Sequence, residues 1–163
     1  MNLQEYFKNL AAQELLSVAE AIAFFQKHFP ETDIESLELK FDGARFKYEV
    51  RGLDDDTRYE FDFNAATKTI LKEKTKPLKE KYQGGVRRRE KAVALDHLQP
   101  LETLMELATA QVPAGYRPYE WKLERKGGLT VWEIEYTDAQ GDKEMEIKIN
   151  AQTGDLVEIE FPR

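Results

Sequence analysis

The 163-residue sequence has no cysteine, which excludes disulfides, thiolate metal ligands and cysteine nucleophiles together. Histidine is nearly absent as well. His28 and His97 are the only two, so a histidine-rich metal centre is excluded and a Ser-His-Asp arrangement has little to draw on. A cationic surplus is also missing: 24 Lys+Arg stand against 31 Asp+Glu, a net charge of -7. That balance argues against a general nucleic-acid partner, which needs cations to displace counterions from phosphate. Long apolar runs are lacking too, and none approaches the roughly 18 residues needed to span a bilayer. The start, Met1-Asn2-Leu3-Gln4-Glu5-Tyr6-Phe7-Lys8, shows no basic stretch leading into an apolar core. As written the chain is therefore expected to be cytoplasmic, or extracellular or in the cell envelope if a leader or anchor has been removed. What remains is a globular composition, 34% charged and 41% hydrophobic.

The most specific feature present is an internal repeat. Asn64-Ala65-Ala66-Thr67-Lys68-Thr69-Ile70-Leu71 recurs as Asn150-Ala151-Gln152-Thr153-Gly154-Asp155-Leu156-Val157. Upstream, Val18, Ile22, Phe25 and Phe29 match Leu101, Met105, Ala108 and Val112, and a proline follows each set (Pro30, Pro113). The common spacing of i, i+4, i+7, i+11 is one buried helix stripe. Two copies of about 80 residues then account for the chain.

Each copy reads as helix, helix, strands. Leu3, Tyr6, Phe7 and Leu10 mark a short amphipathic helix. Ser17-Val18-Ala19-Glu20 is a capping box opening a second helix that ends near Phe29. Pro100 replaces Ser17 in the second copy, where proline suits the first helical position, and the preceding helix is expected over 86–97. The strands alternate with period two. Leu37/Leu39/Phe41, Phe46/Tyr48/Val50 and Tyr59/Phe61/Phe63 form one set. Trp121/Leu123, Trp132/Ile134/Tyr136, Met145/Ile147/Ile149 and Val157/Ile159/Phe161 form the other. Such alternation predicts sheets with one face on helices and one toward water. Asp42-Gly43 and Gly127-Gly128 read as tight hairpin turns, with Asp54-Asp55-Asp56 and Asp138-Ala139-Gln140-Gly141 as the next ones. The expected fold is α+β: two tandem helix-helix-antiparallel-sheet repeats, over 1–76 and 86–163, with a basic, glycine-containing linker at 77–85.

These residues resemble the PepSY-type domain of metalloprotease propeptides and bacterial envelope proteins. The resemblance rests on helix–proline, Trp121-Lys122-Leu123, Trp132-Glu133-Ile134-Glu135-Tyr136, the Gly141 turn, Glu144-Met145-Glu146-Ile147-Lys148-Ile149 and Asn150-Ala151-Gln152-Thr153-Gly154. The first copy departs from it in carrying Lys68 where the second has Gly154. The resemblance implies a tandem arrangement similar to the β-lactamase inhibitor protein, and a role in inhibiting or regulating peptidases.

Candidate chemistry is sparse. The Asn-Ala-x-Thr segments read as turns, with Asn and Thr bonding the backbone and Gly154 supplying a positive φ. Asp54-Asp55-Asp56 lacks the alternating oxygens of a calcium loop and reads as a hairpin tip. His28 and His97 sit near helix ends, where a cation favours the dipole. No residue pattern supplies a nucleophile–base pair, and no cofactor or metal is implied.

Charge patterning points instead to partners. Lys72, Lys74, Lys76, Lys79, Lys81, Arg87, Arg88, Arg89 and Lys91 against Glu73, Glu80 and Glu90 give 72–91 a charge of +6, leaving -13 elsewhere in the -7 chain. This run either folds over the acidic remainder or, through Arg87, Arg88 and Arg89, meets an anion. The water-facing side of the first sheet mixes signs through Arg45, Lys47, Glu49, Arg51, Arg58, Glu60 and Asp62. That of the second is mostly acidic: Glu120, Glu124, Glu133, Glu135, Glu144, Glu146, Glu158 and Glu160 against Lys122 and Lys148. The expected function is a non-enzymatic module that docks a protein or peptide on this polar face. Glu133, Glu135, Glu144 and Glu146 on one half, and Arg45, Lys47 and Arg58 on the other, would supply electrostatic complementarity. The alternative is an envelope sensor or propeptide-like domain whose basic linker touches anionic lipid or cell-wall phosphate.

Overall fold

The helix announced by the capping box begins where that box places it. In the computed structural model, which describes residues 14–161, the Glu20 amide donates to Ser17 Oγ and the Ser17 amide to Glu20 Oε1, both at 3.1 Å. Helix α1 follows as Val18–His28, with Ala21, Ile22 and Phe25 buried. The reading at Leu3, Tyr6, Phe7 and Leu10 lies outside the described residues.

Four strands come next: β1 (Asp33–Phe41), β2 (Phe46–Leu53), β3 (Thr57–Asn64) and β4 (Ile70–Pro77). A 3-10 turn at Glu80–Tyr82 and helix α2 (Val86–Lys91) lead to α3 (Leu101–Thr109). The second set is β5 (Arg117–Lys126), β6 (Leu129–Thr137), β7 (Glu144–Asn150) and β8 (Leu156–Glu160). The strands form one antiparallel eight-stranded sheet in the order β4-β3-β2-β1-β5-β6-β7-β8. The two halves meet where β1 pairs with β5 through Ser36↔Glu124, Leu37↔Leu123, Glu38↔Lys122 and Leu39↔Trp121.

Alternation decides which side is core. Leu37, Leu39, Phe46, Tyr48, Val50, Phe61 and Phe63 are buried together with Trp121, Leu123, Trp132, Ile134, Tyr136, Met145, Ile147 and Ile149, in one cluster with α1 and α3 residues. Full burial of each large side chain contributes about 1.5–3 kcal/mol, so the helices are held by this face. Val18 and Leu101, matched by the repeat, line one groove of about 450 Å³ between the helices, with Ile22, Leu98 and Trp132.

Three local features differ from the sequence reading. Lys72, Lys74 and Lys76, read as part of a basic run, belong to edge strand β4. An outermost strand need not alternate apolar with polar, and its lysines discourage pairing with another chain. The helix expected over 86–97 stops at Lys91, because the Val93 amide donates to the Ile34 carbonyl (2.9 Å) and the Ala94 amide to Thr130 Oγ1 (2.8 Å). These bonds draw the chain out across the end of the sheet. Pro100 stands at the N-cap, one residue before the helix, and its carbonyl accepts the Thr103 and Leu104 amides at 3.1 and 3.2 Å.

The duplicated Asn turns are the same in both copies. Asn64 Oδ1 accepts the Ala66 and Thr67 amides at 2.8 and 3.0 Å, and Asn150 Oδ1 those of Gln152 and Thr153 at 2.9 and 3.0 Å. Lys68 adopts φ 65° where Gly154 adopts 81°, so the lysine accepts a left-handed backbone and the turn type is unchanged.

Candidate functional site

Both long helices pack on one side of the sheet, so most charged positions of the strands share the other, Glu73 and Arg125 being exceptions. Register turns these positions into rows. Across the middle run Lys72, Asp62, Glu49, Glu38, Lys122, Glu133, Lys148 and Glu158, each directly opposite the next. In the neighbouring row Glu120 faces Glu135, Glu135 faces Glu146, and Glu146 faces Glu160. Four carboxylates in line, with no cation between them, oppose folding, since like charges directly across strands are destabilising.

Protons relieve part of that cost. Burial, then the carboxylates of Glu38 and Glu135, push Glu120 up to about 9. Burial, then the charge of Glu133, pushes Glu146 up to about 7. Glu133 is also raised, by burial and then by Glu124, while Lys126 Nζ reaches Glu133 at 3.3 Å and Glu124 at 3.2 Å. Tyr119 joins the group, its hydroxyl donating to Glu144 Oε1 at 3.3 Å. Burial and a hydrogen bond with Glu135 hold that phenol well above its usual range. The far corner is partly neutralised by Lys148, which lies 2.9 Å from Glu158 and 3.4 Å from Glu160.

The first half of this face is balanced within itself. Lys40 pairs with Glu49 at 2.7 Å, Lys47 with Glu49 at 3.6 Å, and Arg51 with Asp62 at 2.7 Å and Glu60 at 3.6 Å. Arg58 reaches Glu35 at 3.2 Å. Arg45 lies in the β1–β2 turn, 3.4 Å from Asp42, off the body of the face. Glu133, Glu135, Glu144 and Glu146 are thus brought together, whereas Arg45, Lys47 and Arg58 are dispersed among partners of their own.

The arginines after β4 turn inward. Arg87 meets Glu35 at 2.9 Å and lies over the Tyr82 ring at 5.4 Å. Arg88 holds Asp33 at 2.7 Å, Asp55 at 3.3 Å and the Glu31 carbonyl at 3.1 Å. Arg89 donates to the Gly84 carbonyl at 3.2 Å and its own carbonyl accepts from Arg125. The Asp54-Asp55-Asp56 tip receives this segment, with the Gly84 amide donating to Asp56 Oδ1 at 2.9 Å and Asp54 Oδ1 closing the turn by accepting the Asp56 and Thr57 amides. His28 stacks on Phe61 at 4.7 Å and meets Glu73 at 2.8 Å. His97 is exposed with φ 60°.

Sequence reasoning grouped Glu120 with the acidic face but missed its contact with Glu38. One half of that contact was within reach: a two-residue turn at Gly127-Gly128 sets Lys126 opposite Leu129 and hence Glu120 opposite Glu135. The other half depends on β1 meeting β5, which no local signal records.

The profile of the peptidase propeptide and YPEB domain, PepSY, matches residues 15–74 and again 99–160. The chain belongs to the PepSY family. Its two PepSY copies coincide with the two helix-and-sheet halves, and the family is one of propeptide and regulatory modules. Among curated proteins, none matches the sequence. Among solved structures, the chain is similar to a crystal structure of a putative lipoprotein from Clostridium difficile. Identity is 28% over 94% of this chain and 99% of that one, with a TM-score of 0.85. Within the described residues of this PepSY pair, no helix is long and apolar enough to cross a membrane.

Proposed function

We propose that this tandem PepSY protein is a non-enzymatic regulatory module that docks a protein or peptide on its open, polar sheet face. The observation carrying the reading is the row Glu120–Glu135–Glu146–Glu160, where carboxylates oppose one another across three strand pairs. Such a row is costly in the isolated chain, and a cationic partner would offset that cost. Glu133, Glu135, Glu144 and Glu146 would orient the partner and speed its approach, with the balanced first half as a neutral flank. The propeptide and regulatory character of the family supports the same reading.

The test is affinity capture from the native cell with the intact chain and with a Glu133→Lys/Glu135→Lys/Glu146→Lys variant, both checked for folding by circular dichroism. A protein retained by the first and lost by the second is expected. A partner held equally by both removes the face assignment.

A second reading concerns place. The likeness to a putative lipoprotein supports an envelope location over the cytoplasmic one. Lys74, Lys76, Lys79 and Lys81 are exposed along β4 and the following turn, a position from which they could meet anionic lipid or cell-wall phosphate. Salt-sensitive pelleting with anionic vesicles, and none with neutral ones, is the result this reading expects.

A further inference from the structure

The two outer edges of the sheet are repeat equivalents, yet they are finished differently. At β4, α1 sets Phe24 against Phe63 at 4.8 Å and Phe61 at 5.5 Å, with Lys68 Nζ over the Phe24 ring at 5.7 Å. His28 stacks on Phe61 and bonds Glu73 of β4. Closure of the helix side of that edge by these rings is partial, Ile70 staying 42% exposed, and its other side carries Lys72, Lys74 and Lys76.

At β8 the closure is missing. Leu107 replaces Phe24 and is 46% exposed, while Leu156, Val157 and Phe161 are 45%, 43% and 64% exposed. These are four of the six large hydrophobics left exposed among the described residues. Leu107 lies beside the turn leading into β8, where its Cδ1 would be 2.9 Å from a Cβ at Gly154. Among the described residues β8 is hydrogen-bonded to β7 alone, so the backbone groups along its outer side have no neighbouring strand there. On the open-face side, Glu146, Glu158 and Glu160 share a single ammonium, Lys148. An unpaired backbone edge, an apolar flank and a surplus of carboxylate therefore coincide.

We propose that the outer edge of β8, which shares Glu160 with the polar face, is a second interaction surface that takes up an extended peptide as a ninth strand. Main-chain bonds to an edge supply affinity, and alternate side chains supply specificity. The segment that fits alternates basic with apolar residues: Lys or Arg toward Glu158 and Glu160, and aliphatic side chains over Leu107, Leu156 and Phe161. A second copy fits less well. Antiparallel pairing of β8 with β8 sets Glu158 and Glu160 against their own counterparts. The β4 strand of another copy supplies lysines but alternates them with Glu73 and Thr75, its apolar Ile70 and Leu71 lying only at the start of the strand.

The test titrates a fluorescently labelled synthetic heptapeptide of alternating lysine and valine into the full chain, at low and high salt. Saturable, salt-weakened binding is expected, with new amide-exchange protection over 158–161. Affinity should fall about tenfold, a loss of roughly 1.4 kcal/mol, in Glu158→Lys/Glu160→Lys and also in Leu107→Ser/Leu156→Ser. It should fall by much less in Glu133→Lys/Glu135→Lys, the variant that disturbs the polar face away from this edge. Three results overturn the proposal: no saturable binding, equal binding of a peptide with the lysines and valines in separate blocks, or loss confined to the Glu133/Glu135 variant. A dimer that forms without peptide and is broken by Leu156→Ser overturns it in favour of a second copy.

Discussion

Glu38 and Lys122 stand directly opposite each other where β1 meets β5, and each is the other's equivalent in the duplicated sequence. Superposing the turn glycines Gly43 and Gly127, both with positive φ, brings the two residues into register. The flanking pairs, Leu37 with Leu123 and Leu39 with Trp121, exchange under the same operation. A pseudo-two-fold axis therefore passes between Glu38 and Lys122. Identical repeats would place like against like there, and the Glu–Lys difference removes that conflict. Lys122→Glu should lower stability by about 1 kcal/mol, because Glu38, Glu124 and Glu133 surround the new carboxylate. The reversed pair, Glu38→Lys/Lys122→Glu, should recover part of the loss. Urea midpoints at constant m-value measure both. Strictly additive single effects would show that the two residues do not interact.

The carboxylates beside this axis make stability depend on pH in an unusual direction. Glu120 titrates at about 9 in the folded protein and Glu146 at about 7, against 4.5 for an ordinary glutamate. The folded state thus binds these protons more tightly than the unfolded chain does. Stability is then highest at the acid end of the window and falls as pH rises from 4.5 toward 9 for Glu120, or toward 7 for Glu146. Carboxylates held low, such as Asp42 and Asp54 with their turn amides, act below this window and do not mask it. Glu120→Gln should raise stability by about 1 kcal/mol near pH 8 and flatten the slope. Urea unfolding at several pH values would reveal it. A wild-type stability that climbs between about pH 5 and 8 contradicts tighter proton binding by the folded state.

How far the fold was legible follows from how local each signal was. The capping box Ser17–Glu20, the helix stripes and the hairpin glycines act within a few residues, and each appears where the sequence placed it. The polar face was legible for the same reason, since period two fixes which side a residue occupies once its neighbours are buried. β4 was not, because an edge strand exposed on both sides has no apolar alternation to read. The contacts of Glu120 with Glu38 and of Arg87 with Glu35 were not legible either. They arise from a strand pairing and a chain crossing between residues more than fifty positions apart, about which composition and spacing are silent.

The paired asparagine turns offer a controlled comparison within one molecule. Asn150 Oδ1 accepts two backbone amides, and Asn150→Ala should cost about 1–2 kcal/mol by leaving them unpaired. At the left-handed position the repeats differ: Lys68 has φ 65° and Gly154 φ 81°. Lys68→Gly should stabilise by about 0.5 kcal/mol, the relief of the left-handed backbone being partly offset by loss of the Lys68–Phe24 contact. Gly154→Lys should destabilise by more, since a Cβ there also meets Leu107 at 2.9 Å. Thermal midpoints of the two variants should move in opposite directions, and a shift in the same direction would show that the two turns are not equivalent.

Core packing has diverged between the copies by exchanging large for small. In the first, Phe25 of α1 lies directly on Gly52 of β2, with no room for a Cβ. In the second, the equivalent helix residue is Ala108, and the strand residue is Tyr136, whose hydroxyl lies 3.4 Å from Thr109 Oγ1. Phe25, Ala108 and Tyr136 are all fully buried, so each half fills its helix–sheet gap from the opposite side. Gly52→Ala should then cost about 1–3 kcal/mol through overpacking, and Phe25→Ala about 3–5 kcal/mol through the cavity it leaves. Combined as Gly52→Tyr/Phe25→Ala, the first half adopts the arrangement of the second. That double variant should be more stable than Gly52→Tyr alone, by an interaction energy of about 1–3 kcal/mol in a double-mutant cycle. A cycle that closes at zero would mean the two copies solve their packing independently of this pair.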